Sequence, residues 1–459
     1  MKGRASDIHV EPTEDRVVVR HRLDGILREV IALPKWVHDG LVARLKVLAG
    51  MDIAEKRLPQ DGRLRVQVDD NREVDLRVST LRTMYGEKIV LRVLDQRKGP
   101  PQLTELGLPS DGLETLRHLL RQQHGMILVV GPTGSGKTTT LSSAIASLQT
   151  TRTNIITIED PIEYQLRGVN QTQISDKIGL TFASSFRAIL RQDPDVILVG
   201  EIRDFDTAQI ALRAAQTGHL VLSTLHTDDG PSTLTRLMDM GTEACVIGSA
   251  LIGVVAQRLV RGLCVQCRVR YTPTSDVLRS LNITDADADT HAFCRAEGCD
   301  QCNHTGYRER IGIFEIMPVN DKLRRLIAGN RGEDAIRDEA ISAGMASLGA
   351  DGLAKFKSGV TTAEELLRVV PEVGEVRSVC PSCNGSVESG FQVCPYCGHQ
   401  LAHGCPSCHR ALQPGWNFCP HCATSMAGST RNTLSETAHE QMGHIPLQLQ
   451  ESAVPKASA

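Results

Sequence analysis

The chain has 459 residues, 41% of them hydrophobic and 23% charged, with a formal net charge of -3. That length allows two to four domains, and near-neutrality excludes bulk charge as a source of binding to nucleic acid or to an anionic membrane. The longest apolar runs, 126–130 and 196–199, are too short to cross a bilayer, and the polar start lacks an apolar signal core, so neither membrane insertion nor a secretory signal is expected.

Residues 1–98 read as an α+β domain. Residues 17–23 and 63–68 alternate apolar and polar as half-buried strands do, residues 36–51 have helical spacing, and 89–94 close the region as a strand. Asp24-Gly25 and Asp61-Gly62 mark turns. A linker occupies 99–112. Between 113 and 262, apolar strands (126–130, 155–158, 196–199, 220–222) alternate with helical stretches, the pattern of an α/β sheet buried on both faces. Residues 263–315 form a cysteine-bearing element, 316–372 read as a helical subdomain, and 373–426 as a repeated cysteine module. The polar, aperiodic tail at 427–459 is expected to be disordered.

Residues 131–138, GPTGSGKT, match the whole phosphate-loop pattern, after an apolar strand and before a helix-compatible run at 139–146. In such a loop glycines let backbone N–H groups curl round phosphate oxygens, and the helix N-terminus adds partial positive charge. Gly131, Pro132, Thr133, Gly134, Ser135, Gly136 and Thr139 are therefore assigned to the nucleotide, ATP. Lys137 is expected to reach the β- and γ-phosphates and Thr138 to ligate Mg²⁺.

Two acidic strand ends follow. Glu159, Asp160 and Glu163 lie within 158–163 (IEDPIE), and 196–201 (VILVGE) ends on Glu201, with Gly200 where a Walker B strand usually carries Asp. One carboxylate would polarise the attacking water and another would hold Mg²⁺ through water; the alternative is strand-end capping or ion pairing. His219 and His226 flank residues 220–225, and a structural role competes there with a γ-phosphate sensor.

Together these residues resemble the secretion ATPases of type II secretion and type IV pilus assembly. The resemblance runs from 5–12 (ASDIHVEP) to about residue 370. It passes through 20–25 (RHRLDG), 61–63 (DGR), Gly86-Glu87, the phosphate loop, 157–163 (TIEDPIE), 190–195 (LRQDPD), 200–204 (GEIRD) and 217–227 (TGHLVLSTLHT). A glutamate without the preceding aspartate is normal in that family. The resemblance implies a RecA-like P-loop ATPase domain at 113–262, a mobile, PAS-like domain at 1–98, and a homohexamer with nucleotide between domains. It also implies that the preceding domain supplies arginines to the phosphates; Arg77 and Arg92 stand where the family carries them, pairing with neighbouring carboxylates being the alternative.

The implied work is ATP hydrolysis coupled to pilus or pseudopilus assembly, or to type II protein secretion. It would be done in the cytoplasm by a ring attached peripherally, through an inner-membrane platform protein. A related ATPase for DNA uptake or conjugative transfer is a competing reading, as is a ribbon-centred binding or regulatory protein with weak ATPase activity. Nucleic acid is not expected as a partner. The chain starts within the mobile domain, so the further N-terminal domain through which relatives dock is expected to be missing.

Twelve of the 14 cysteines fall into Cys-x-x-Cys pairs, a spacing suited to tetrahedral metal sites in a reducing compartment. Cys264, Cys267, Cys299 and Cys302, followed by Thr305-Gly306-Tyr307, resemble the four-cysteine zinc element of the assembly and secretion branch, which retraction ATPases generally lack. Four thiolates would close the Zn²⁺ shell, making the site structural. Residues 380–422 repeat themselves as a double zinc ribbon, with Cys380, Cys383, Cys394 and Cys397 in one site and Cys405, Cys408, Cys419 and Cys422 in the other. Iron, or redox disulfides, are the alternatives there. Cys245 and Cys294 are left over, and Cys294 could compete for a ligand position.

Overall fold

Alternating apolar and polar residues build the first sheet. In the computed structural model, which describes residues 5–69, 72–94, 99–175, 178–283, 291–370, 378–379, 382, 386–387, 391, 393–399, 407–408, 418 and 421–425, the chain divides into two units, Met1–Glu375 and Val376–Ala459. The first sheet comprises β1 (Asp7–Pro12), β2 (Arg16–Leu23), β3 (Ile26–Pro34), β4 (Gln60–Asp69), β5 (Arg72–Thr83) and β6 (Gly86–Leu94), with helix α1 (His38–Leu48) between β3 and β4. All neighbours are antiparallel, in the order β3-β2-β1-β6-β5-β4.

Because side chains alternate across a strand, one face gathers Val10, Val17, Leu64, Leu76, Val78, Ile89 and Leu91 against Val42 of α1. A buried ion pair, Lys46–Glu87 at 2.5 Å, ties α1 to β6. The other face is charged. Arg63, Arg77 and Arg92 are direct cross-strand neighbours in one row that continues to Asp7. Like charges set opposite each other weaken a sheet, so that row is costly unless an anion answers it.

The second sheet follows helix α2 (Ser110–Leu120). In chain order it is built from β7 (Gly125–Val130), α3 (Lys137–Leu148), β8 (Ile155–Glu159), β9 (Asn170–Gln173), α4 (Phe182–Ile189), β10 (Val196–Val199), α5 (Phe205–Gln216), β11 (Leu220–Leu225), α6 (Gly230–Asp239), α7 (Ala244–Ala250) and β12 (Leu251–Leu263). The strand order is β15-β12-β7-β11-β10-β8-β9, where β15 is Tyr307–Pro318. All pairs are parallel except β12–β15. Every residue of β7, β10 and β11 is buried. Met126, Leu128 and Ile197 face one layer with Phe186 and Leu212, while Ile127, Val129 and Leu198 face the other with Leu119, Leu141 and Ile145. Burial on both sides explains why these strands are continuous apolar runs.

Residues 307–318 correct the sequence reading. They were expected to end the cysteine element and begin the helical part, but form a strand of the main sheet. The cysteine element is thus an insertion between β12 and β15, holding β13 (Arg268–Arg270), α8 (Ser275–Ser280) and β14 (Cys294–Ala296). Among the described residues four helices follow β15: Asp321–Ala328, Glu333–Ser342, Leu348–Lys357 and Ala363–Val369. Within the second unit, Ser378–Val379 pairs with Ser386–Val387, and Phe418 bridges to Ser425.

Candidate functional site

Parallel strands bring their C-terminal ends to one edge, and ligands of open α/β sheets bind there. The loop after β7 holds Gly131, Gly134 and Gly136 at φ of 148°, 81° and 91°, the left-handed region that favours glycine. Gly131 and Gly136 are fixed by space as well. A Cβ on Gly131 would collide with the Gln257 carbonyl, and one on Gly136 would lie 2.7 Å from the Gln257 amide nitrogen. Gly136 is the N-cap of α3, so the first N–H groups of the helix open onto the loop. The buried Ser135 hydroxyl has no hydrogen-bond partner among the described residues. A tight turn of backbone donors with an orphaned buried hydroxyl fits a phosphate group.

Lys137 Nζ donates to the carbonyls of Gly131 at 2.7 Å and Pro132 at 3.1 Å. Burial pulls its ammonium from 10.5 down to about 8, Glu201 opposing and Arg258 assisting. Pro132, Thr133 and Gly134 form the exposed crest of the loop. Thr139 Oγ1 lies 3.3 Å from the Tyr164 hydroxyl, which joins α3 to the acidic segment after β8.

In that segment the half-buried Glu163 lies beside Thr138, whose hydroxyl favours its carboxylate form. Its carboxyl is pushed above the ordinary range by burial, and the nearby Glu159 adds to this; Arg92 and the Thr138 hydroxyl oppose. Glu159 ends β8, buried, and accepts from Thr157 Oγ1 at 2.6 Å and Gln171 Nε2 at 3.0 Å. Burial raises its pKa too. Asp160 lies 3.6 Å from Arg203.

Glu201 follows β10 and Gly200, where a Cβ would lie 3.2 Å from the Ile158 carbonyl, so a side chain at the usual aspartate position would press on β8. Glu201 pairs with Arg203, and its other oxygen is 3.6 Å from His226 Nε2, just past β11. The first sheet brings Arg92 close enough to Glu163 to lower its pKa, while Arg92 Nε also donates to Asp7 at 3.3 Å. Arg77 is Arg92's neighbour on β5.

No contact joins Arg77 to the cradle among the described residues, and His219 lies away from it. His219 precedes β11, its carbonyl accepting from Gly125 at the start of β7. Six-residue strands put it roughly 20 Å from the phosphate loop of its own chain. Its ring nitrogen Nδ1 lies 3.1 Å from the Ala214 carbonyl, a structural contact at the end of α5. The sequence reading missed Gln257, which accepts from Thr140 Oγ1 at 2.7 Å and walls the glycines, and Arg258 beside it. They lie on β12 where it outruns β7.

Cys264, Cys267, Cys299 and Cys302 converge, with all four Sγ atoms within 4.8 Å of one another. Sγ separations are 3.9 Å for Cys264–Cys299 and 3.8 Å for Cys267–Cys302 and Cys299–Cys302. A tetrahedron with metal–sulfur bonds of about 2.3 Å has sulfur–sulfur edges of roughly 3.8 Å. Backbone N–H groups of Cys299 and Gly306 donate to Cys302 Sγ at 3.1 and 3.2 Å, contacts that orient and stabilise a thiolate ligand. Cys294 stands apart, donating to the Ala292 carbonyl at 3.5 Å. In the second unit Gly398 donates to the Cys394 carbonyl at 2.9 Å in a tight knuckle that includes Cys397. Cys408 and Cys422 are described, whereas Cys380, Cys383, Cys405 and Cys419 lie outside the described residues.

A family model described as "Type II/IV secretion system protein" matches residues 1–368, and one described as "Double zinc ribbon" matches 380–423. The chain is 50% identical over 368 residues to "Type II secretion system protein HxcR" of Pseudomonas aeruginosa, covering 80% of this chain and 74% of that one. It is 45% identical over 371 residues to "Type IV pilus assembly ATPase PilB" of Myxococcus xanthus, covering 80% and 65%. Its fold matches the crystal structure of "the Pilus Retraction Motor PilT and Bound ADP" with a TM-score of 0.55 at 28% identity, covering 80% of this chain and 94% of that one.

Proposed function

The chain belongs to the type II/IV secretion system protein family, and on that premise we propose that it is an ATP hydrolase serving as the motor of pilus or pseudopilus assembly or of type II protein secretion. The observation that carries this reading is the convergence, on one sheet edge, of the 131–138 cradle, Glu163 beside Thr138, and Glu201 facing His226. Backbone N–H groups and Lys137 take up phosphate charge, and the Thr138 hydroxyl and an acidic neighbour would hold Mg²⁺. That ion, when bound, offsets negative charge on the β- and γ-phosphates. Glu201 or Glu163 accepts the proton of the attacking water, and the γ-phosphoryl passes to that water, leaving ADP and inorganic phosphate. His226 sits beside Glu201 as a sensor of the γ-phosphate.

The arginine row of the first sheet supplies countercharge, Arg92 foremost, in a homohexamer with nucleotide between domains. The four converging thiolates are assigned to Zn²⁺, as are the two sites of the ribbon module. No helix among the described residues is long and apolar enough to cross a membrane. The ring is taken to act in the cytoplasm, held to the membrane by an inner-membrane platform protein. The test is Mg²⁺-dependent ATP turnover by the purified full chain. Lys137→Ala abolishes it if the reading holds, and an unchanged rate refutes the reading.

A further inference from the structure

Strand β12 pairs with β7 through Ala256 and Val130 and then continues alongside the phosphate loop. Its next residues are Gln257 and Arg258. The Arg258 side chain is only 11% exposed. One guanidinium nitrogen, Nη1, donates to the Gln257 carbonyl at 3.1 Å and lies 3.2 Å from where a Cβ on Gly131 would be. The other, Nη2, donates to the Asp228 carboxylate at 2.7 Å and to the Asp228 carbonyl at 3.2 Å. Burial opposes its charge, and that charge in turn makes Lys137 easier to deprotonate. A buried guanidinium beside the lysine that must bind phosphate is an expensive way to fill space. An apolar side chain would fill it without that penalty.

What the guanidinium holds explains the expense. Asp228 is two residues past His226, in the loop between β11 and α6. The downstream end of that loop is pinned independently. Asp229 caps α6 through Ser232 N at 2.9 Å and pairs with Arg337 at 2.7 Å, and Gly230 N donates to Glu315 at 2.9 Å. The upstream end, which carries His226, is held at Thr227, whose hydroxyl lies 2.7 Å from that of Thr233, and at Asp228, whose side chain is otherwise 89% exposed.

We propose that Arg258 is a positioning residue for ATP hydrolysis: through Asp228 it fixes the His226 loop against the phosphate loop and so sets His226 beside Glu201. The inference rests on the ATPase reading above. Arg258 is a second cation at the cradle whose task is geometry, and Asp228 is its handle on the sensor.

The test is a double-mutant cycle on the full chain, reading kcat for ATP and, separately, the affinity for ADP. Asp228→Asn and Arg258→Met each lower kcat by about ten- to a hundredfold, the scale of misplacing a catalytic group by about an ångström. ADP affinity stays within about threefold, and the double variant is no slower than the slower single. Arg258→Lys recovers part of kcat only when Asp228 is present. Asp228 is exposed, so its variant tests the idea even if Arg258→Met fails to fold. Wild-type kcat in Asp228→Asn overturns the proposal, as do multiplicative losses in the double variant or an ADP affinity that falls as far as kcat. A wild-type chain that turns over no ATP would instead defeat the parent reading.

Discussion

Consider the ammonium of Lys137. It is brought from 10.5 to about 8, chiefly by burial. At neutral pH that amounts to a folding cost of roughly 3 kcal/mol, partly relieved by the two carbonyls it touches. The sign follows from the group being a base with a depressed folded pKa. The cost is fully present below about pH 8 and disappears as pH rises from there to 10.5. Phosphate binding reverses the preference, because the anion needs the charged form. Nucleotide therefore binds with proton uptake above pH 8, and its Kd rises about tenfold between pH 7 and pH 9. Calorimetric titration with ADP at pH 7, 8 and 9, in buffers of different ionisation enthalpy, reads both the affinity and the protons taken up. Glu201→Gln removes the charge that supports the ammonium and moves the onset to lower pH. Lys137→Met abolishes the pH dependence and raises the melting temperature measured without nucleotide. A Kd that is flat from pH 7 to 9 would refute the depressed ammonium and the account of the cradle built on it.

Replacing either Glu201 or Glu163 by Gln tests the proton acceptor: the true base loses at least about a hundredfold in turnover while ADP binding persists. Glu163 is raised above 4.5, so if it is the base, activity falls as pH drops through that raised value. Arg92→Gln then moves the acid limb of the pH–rate profile upward and Glu159→Gln moves it downward; a limb that ignores both excludes Glu163. Gly136→Ala sets a methyl 2.7 Å from the Gln257 amide at a φ of 91°, and a loss of about 1–3 kcal/mol in denaturant unfolding is expected. Cys264→Ser lowers the zinc content, measured by mass spectrometry of the metal, by one ion per chain, while an unchanged count removes the 264–302 site.

Much of the site was legible because its chemistry is local in sequence. The phosphate loop, the carboxylates at 159–163 and the strand ending in Glu201 each announce themselves within ten residues. The cysteines did too, since metal ligation repeats a short knuckle. Gln257 and Arg258 were not legible, because an Arg on an apolar strand says nothing of which loop lies beside it. That depends on β12 overrunning β7, a matter of register. Strand β15 was misread because its pairing partner lies on the far side of the insertion. His219 is a different case. It precedes its strand, and in a parallel sheet the working edge is where strands end, so direction alone could have separated it from His226. The arginine row needed the antiparallel registers of three strands before Arg63, Arg77 and Arg92 became neighbours.

The cysteine insertion leaves the sheet at Leu263 and returns at Tyr307, and these two residues are partners on one rung. Cys264 N donates to the Gly306 carbonyl at 2.9 Å just beyond it. The rung is thus a splice junction. A two-residue turn could join the strands there without changing the register of either, whereas the detour between 264 and 306 adds only a slowly growing closure entropy. Removal would not be free of consequence, because Phe293 packs on Phe356 at 4.8 Å and Arg268 donates to the Gly359 carbonyl at 2.8 Å. Cutting the detour spares the nucleotide sheet but strips one wall from the helices that follow it, so it uncouples the engine's frame from its C-terminal cladding.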